Sequence, residues 1–224
     1  MYKKVFLMIL AAVFTANVVS AQLFVGGSLG FDFMGGKNIV GSNKTDMPST
    51  FAFQIAPRVG YYLNDDFAIG LEVGLTTSTQ TTPRVNLDDI KRSTTGWNVR
   101  AFARYNLLGT ERLSLLLEGG IAIGGIKSKT TIGAITTDSN PISFFNIGVL
   151  PVLSYSLSDR LSLEASADLL RLGFSSVTET NAGNSNLKDR VNLFGFGVNT
   201  SNLIIDGDNF GNSSLFRVGL VFRF

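Results

Sequence analysis

The stretch "SLFRVGLVFRF", residues 214–224, alternates apolar residues with others up to its last position. Successive side chains of a strand point to opposite faces. Phe216, Val218, Leu220, Phe222 and Phe224 therefore share one side, and Leu215, Arg217, Gly219, Val221 and Arg223 share the other. One face is oily and the other is partly charged. A soluble sandwich would turn the oily face inward, whereas a membrane barrel would turn it outward, so the stretch identifies a strand and leaves its surroundings to the rest of the chain.

The same pattern recurs along the chain. In 23–33, Val25, Leu29, Phe31 and Phe33 oppose Gly26, Ser28, Gly30 and Asp32; in 51–62, Phe51, Phe53, Ile55, Val59 and Tyr61 oppose Ala52, Gln54, Ala56, Arg58 and Gly60. Further alternating segments fall at 67–77, 96–107, 113–125, 143–157 and 161–173. Short turns ("LNDD", "LGTER", "SDR") alternate with long polar loops at 34–50, 78–95, 126–141 and 174–213. That regularity predicts an antiparallel up-and-down meander of about eight strands, with the short turns and both chain ends on one side. The last loop contains "VNLFGFGVNTSNLII", residues 191–205, which is itself apolar and alternating. It reads as an extension of the last two strands; two extra strands, giving about ten, are the alternative.

The N-terminus supplies a compartment. In "MYKKVFLMILAAVFTANVVSAQ", Lys3 and Lys4 precede a short apolar run and a small-residue site, the order of a secretory signal peptide cleaved after Ala21. A buried helix or a membrane anchor would need a longer run or different flanks. No cysteine follows to carry a lipid. Residues 22–224 would form the mature chain, with 17 basic and 17 acidic residues. Such neutrality, with no basic cluster, gives a nucleic-acid partner no electrostatic support. The mean hydropathy of +0.25 is high for a secreted soluble domain. After the signal no apolar run is long enough for a membrane helix, and lipid-facing residues spread over every second position of many strands produce that combination.

The face free of ionised groups carries Phe, Ile, Leu, Val, Trp and Tyr in every strand, which is too much bulk for an eight-stranded interior. It is expected to meet outer-membrane lipid. The opposite face, with Gly, Ala, Ser, Asn and nearly all the strand charges, is expected to line the lumen. Counted from the short-turn ends, Arg58, Glu72, Arg100, Glu118 and Arg217 lie at similar levels, with signs alternating from strand two to strand five. Glu164 and Asp168 on strand seven stand beside Arg217 on strand eight. Unpaired charge in a dry interior is costly, so these residues are expected to form a paired ring that closes the lumen. The competing reading places them outside as solvated charges.

With its strand pattern, its loop alternation, "YSLSDRLSLEAS" and the terminal "VFRF", the mature chain resembles the small outer-membrane β-barrel proteins of Gram-negative envelopes, similar to the transmembrane domain of the OmpA and OmpX class. The resemblance implies location in the outer membrane. It also implies that the C-terminal aromatic strand, ending at Phe224, is read by the barrel-assembly machinery. No peptidoglycan-binding domain is expected after Phe224.

Histidine and cysteine are both absent. Outer-membrane hydrolases, acyltransferases and proteases that resemble one another in using a histidine base are thereby excluded, as are thiol nucleophiles and thiolate metal sites. Asp65 with Asp66, and Asp88 with Asp89, lie in turns or loops, where adjacent carboxylates mostly solubilise, so no enzyme is expected. In "DGDNFGN", residues 206–212, Asp206, Asp208 and Asn209 offer calcium ligands without the later bidentate acid of a full loop, and a polar turn is the plainer reading. "GGSLG" and "GGIAIGG" lie within strands without a following helix, so no phosphate cradle follows from them. No cofactor or metal is expected. Two functions remain: a closed barrel that presents surface loops to an extracellular ligand, whose identity the residues leave open, and a narrow pore for small solutes or ions.

Overall fold

A computed structural model describes residues 22–40, 43–84, 86–167, 171–181, 187–197, 203–205, 208–210 and 216–224. The elements are all strands: β1 (Leu23–Met34), β2 (Lys37–Val40), β3 (Asn43–Asp46), β4 (Ser49–Tyr62) and β5 (Phe67–Thr82). They continue with β6 (Ile90–Gly109), β7 (Leu113–Ile132), β8 (Ile135–Asp138), β9 (Ile142–Ser156) and β10 (Leu161–Ala167). The last are β11 (Arg171–Thr180), β12 (Lys188–Gly197), β13 (Leu203–Ile205), β14 (Asp208–Phe210) and β15 (Phe216–Arg223).

Antiparallel pairing runs from β1 through β4, β5, β6 and β7 to β9, on to β10, then to β15 and back to β1. The sheet therefore closes on itself as an eight-stranded barrel, which leaves no edge at its base. β10 and β11 both pair with β9 and form one wall strand. The eighth wall is shared, with β15 against β10 below and β12 against β11 above. The start of β1 and the end of β15 meet at the short-turn end, where the Phe224 N–H donates to the Leu23 carbonyl at 3.0 Å.

Burial follows the sequence alternation. Leu71, Val73, Trp97, Val99, Ile121, Ile123, Val218 and Leu220 are all exposed, while their strand neighbours Glu72, Arg100, Ala122 and Val221 point into the barrel. On β5, Phe67 to Leu75 give an outward apolar run of nine residues, and Trp97 to Tyr105 do the same on β6. That length crosses the hydrocarbon of a bilayer as a tilted strand. Tyr61, Tyr105 and Tyr155 lie exposed near the short turns, and Phe224 packs edge-on against Phe222 with ring centres 5.2 Å apart. This is the expected aromatic girdle. No helix among the described residues is long and apolar enough to cross a membrane.

Glycines make room for the interior aromatics. Phe24 stands directly across from Gly60, Phe102 from Gly70 and Phe144 from Gly124, and each ring covers its glycine so closely that a Cβ would collide with it. Rings laid over strand glycines fill a narrow interior without displacing the wall. At Gly70 a Cβ would also meet the Val59 carbonyl oxygen at 2.6 Å, which is backbone and cannot yield. Gly70→Val is expected to cost about 1–3 kcal/mol through overpacking, read as a lower urea midpoint of the barrel refolded in lipid vesicles.

Three features differ from the sequence expectation. Strands β5, β6 and β7 run well into the stretches read as loops, to Thr82, from Ile90 and to Ile132. Their threonines and isoleucines suit a pleated surface as well as apolar residues do, so polarity alone misleads there. The strand expected at 161–173 is interrupted. Glu164 pairs with Ser154, yet Phe174 pairs with Ile147, a register shift of three residues across 168–170. An odd shift swaps faces, so Ser162 and Glu164 point inward before it and Ser175 and Val177 after it. Residues 191–197 extend the last wall strands, as expected, through β12 pairing with β11, while Leu203–Ile205 pairs separately with Asp208–Phe210. Residues 1–21, read as the signal peptide, lie outside the described residues, as do Asp206 and Gly207 of the calcium reading.

Candidate functional site

The inward face of the lower barrel brings together three arginines and three glutamates. Direct cross-strand register places Arg58 on β4 against Glu72 on β5, and Glu72 against Arg100 on β6. Arg104, two turns of the pleat below Arg100, stands across from Glu118 on β7. Opposite charges at facing positions of neighbouring strands attract directly. Glu164 approaches from β10, on the far side of the lumen.

The contacts form a single network. Arg58 Nη2 lies 2.7 Å from Glu72 Oε2, and its Nη1 lies 3.3 Å from both Glu118 Oε2 and Glu164 Oε2. Arg104 donates to Glu118 at 2.6 Å and to Glu164 at 2.7 Å. Arg100 donates to Glu118 Oε1 and stands 3.9 Å from Glu72. Glu118 faces all three guanidiniums and is 1% exposed; Arg104, bridging two carboxylates, is 2% exposed. The planar fork of arginine, with five donors, makes such bridging possible where a lysine could not span it. Three positive and three negative groups balance, as burial in a low-dielectric interior demands.

Aromatic rings support the network from below and beside. All three guanidiniums lie over Phe102, at 5.7 Å for Arg58 and Arg100 and 5.4 Å for Arg104, and Arg104 also lies over Phe24 at 5.3 Å. Ring faces stabilise cations and exclude water at once. Nearer the base, Arg223 stacks on Tyr62 at 4.2 Å and donates to its hydroxyl at 2.6 Å. Between the two layers a cavity of about 40 Å³ is lined by Tyr62, Asp66, Arg104, Asn106, Ser154 and Arg223. It has room for a few ordered waters among these polar groups.

Of the seven residues expected in the ring, Arg58, Glu72, Arg100, Glu118 and Glu164 are brought together. Arg58, Glu72 and Arg100 alternate in register along the wall, Glu118 faces Arg104 rather than Arg100, and Glu164 reaches across the lumen to Arg58 and Arg104. Arg217 is half-buried across from Ser166, and the ion pairs among the described residues do not include it. Asp168, its expected partner, lies outside the described residues. Arg104 is absent from the expected set because the sequence reading ends its strand at residue 107, which sets it too low; β6 runs to Gly109, and Arg104 stands directly across from Glu118. The register pair Arg104 with Glu118 is the signal that could have found it. Asp88 and Asp89 cap the β5–β6 turn, where the Arg84 N–H donates to Asp89 at 3.3 Å and its Nε to the Asp88 carbonyl at 2.7 Å.

No protein-family model and no curated protein sequence matches the chain. Solved structures do. A major outer membrane protein from Thermus thermophilus is 14% identical with a TM-score of 0.45, over 92% of this chain and all of that one. Ail, the attachment invasion locus protein of Yersinia pestis, is 12% identical with a TM-score of 0.42 over the same shares. Neisserial surface protein A is 15% identical with a TM-score of 0.36, over 92% of this chain and 98% of its own. With a wall closed by β1 and β15, an apolar exterior and its charges inside, the chain is a small antiparallel β-barrel built in the manner of outer-membrane barrels.

Proposed function

We propose that the mature chain, residues 22–224, is a non-catalytic barrel of a Gram-negative outer membrane that holds its polar loops at the cell surface for an extracellular ligand. Its lumen is shut. The observation that carries this reading is the network of Arg58, Arg100 and Arg104 with Glu72, Glu118 and Glu164, buried across the whole interior. A permeation path would need these pairs to separate, and each separated charge would stand in a low dielectric without a partner. The lipid-facing girdle and Phe224 support insertion by the assembly machinery that recognises a terminal aromatic strand.

The competing function is a narrow pore, favoured by the many glycines of the interior. The rings of Phe24, Phe102 and Phe144 occupy the space those glycines leave. Proteoliposomes carrying the refolded chain are expected to swell in arabinose no faster than protein-free vesicles. A clear increase in swelling rate would replace the plug with a porin.

A further inference from the structure

The network of Arg58, Arg100 and Arg104 with Glu72, Glu118 and Glu164 is balanced, so any further charge in the lumen needs its own counter-charge. Arg217 is such a charge. On β15 the inward positions are Val221, Gly219 and Arg217, alternating with the exposed Val218, Leu220 and Phe222. Gly219 stands across from Glu164 on one side and from Ser28 on the other, and Arg217 stands across from Ser166, one row nearer the loop end. Ser28 is therefore the diagonal neighbour of Arg217, about 7–8 Å away and within reach of a long side chain.

Arg217 has no ion pair, hydrogen bond or ring contact among the described residues. Glu164, the inward acid two residues from Ser166, gives its oxygens to Arg58 and Arg104. Asp32, inward on β1, makes no ion pair among the described residues. Arg217 is half-buried, and a guanidinium without a counter-charge stands in a lumen only where water reaches it. Beside it the hydroxyl of Ser28, a residue 7% exposed, is buried without a hydrogen-bond partner. Gly219 places no side chain between the two. An orphaned hydroxyl next to an uncommitted guanidinium is a set of donors that lacks its acceptor.

We infer that Arg217, with the hydroxyls of Ser28 and Ser166, binds an oxyanion group, a carboxylate or a phosphate, of a solute that enters the lumen from the loop end. The inference rests on the closed-lumen reading and gives its extracellular ligand a chemical class. The planar fork of arginine donates two parallel hydrogen bonds to either group, and serine hydroxyls donate to the oxygens that remain. Below this point the packed network bars the way, so the anion docks and does not pass.

The test titrates inorganic phosphate into the refolded chain in octyl glucoside, a detergent without an anionic group, at constant ionic strength, and reads the heat of binding. Saturable binding is expected, with acetate competing for the same site. Arg217→Gln is expected to weaken it by about tenfold or more, the ratio that a hydrogen bond to a charged group carries, and Ser28→Ala by about threefold. Arg217→Lys, which keeps the charge and loses the fork, should fall between wild type and Arg217→Gln. Lys37→Gln, at the exposed ion pair of Lys37 with Asp46, should match wild type. Folding of each variant is scored first by heat-modifiable migration; where Arg217→Gln does not fold, Arg217→Lys and Ser28→Ala carry the comparison. Absence of saturable binding, or binding unchanged by these substitutions, would overturn the site. Binding that appears only in Asp32→Asn would show that Asp32 already serves as the counter-charge and would overturn it as well. Phosphate trapped in vesicles is expected to stay inside; its escape with binding intact would sink the closed lumen and leave the site standing, whereas retention without binding would sink the site alone.

Discussion

Glu118→Ala is expected to destabilise the barrel by about 3–5 kcal/mol, the cost of leaving buried charge without its partner. Glu118 is almost wholly buried and is the carboxylate that Arg58, Arg100 and Arg104 share. Its removal leaves three guanidiniums facing two carboxylates inside the wall. Urea unfolding in vesicles measures the loss, and a change under about 1 kcal/mol would mean that water already reaches these groups. Glu118→Leu combined with Arg104→Leu should cost less than the sum of the two single changes, because neighbours in one network are not additive and a removed pair leaves less charge stranded. Additive losses would show that the contact between them is energetically empty.

The second large effect lies on the opposite face. Leu71, 54% exposed, sits mid-band on β5 between Val59 and Ala101 in register. Leu71→Arg is expected to cost about 2–4 kcal/mol in a bilayer, the penalty for arginine near the midplane on a lipid-facing strand. Thr79→Arg, on the same face but above the apolar band, should cost about 0–1 kcal/mol. The difference between the two positions is the diagnostic, since a solvent-exposed wall would tolerate both alike. Equal, small effects would remove the exterior from lipid.

Much of this was legible in the residues because strand geometry ties sequence position to face. Alternation alone separated Leu71 from Glu72 and Trp97 from Asn98, and the sign pattern brought Arg58, Glu72, Arg100, Glu118 and Glu164 into one set. What escaped depended on register and reach. Arg104 stands in register with Glu118 because β6 runs two residues past the end read from the sequence, while Arg100, across from Ala122, reaches Glu118 only because an arginine side chain spans more than one row of the pleat. The change of face between Glu164 and Ser175 is invisible to periodicity, since an odd register shift inverts parity while the alternation on either side of it continues. The upper parts of β5, β6 and β7 look like loops because threonine, serine and lysine are read as solvent-seeking, although a sheet standing in water needs that composition on its outward face.

The central claim is a lumen closed by paired charge, and planar-bilayer recording of the refolded chain addresses it most directly. Wild type should be electrically silent, while Arg100→Ala and Glu72→Ala, each of which leaves an opposite charge unmatched, should show leak currents. Steady conductance from the wild type, unchanged in either variant, would contradict the plug.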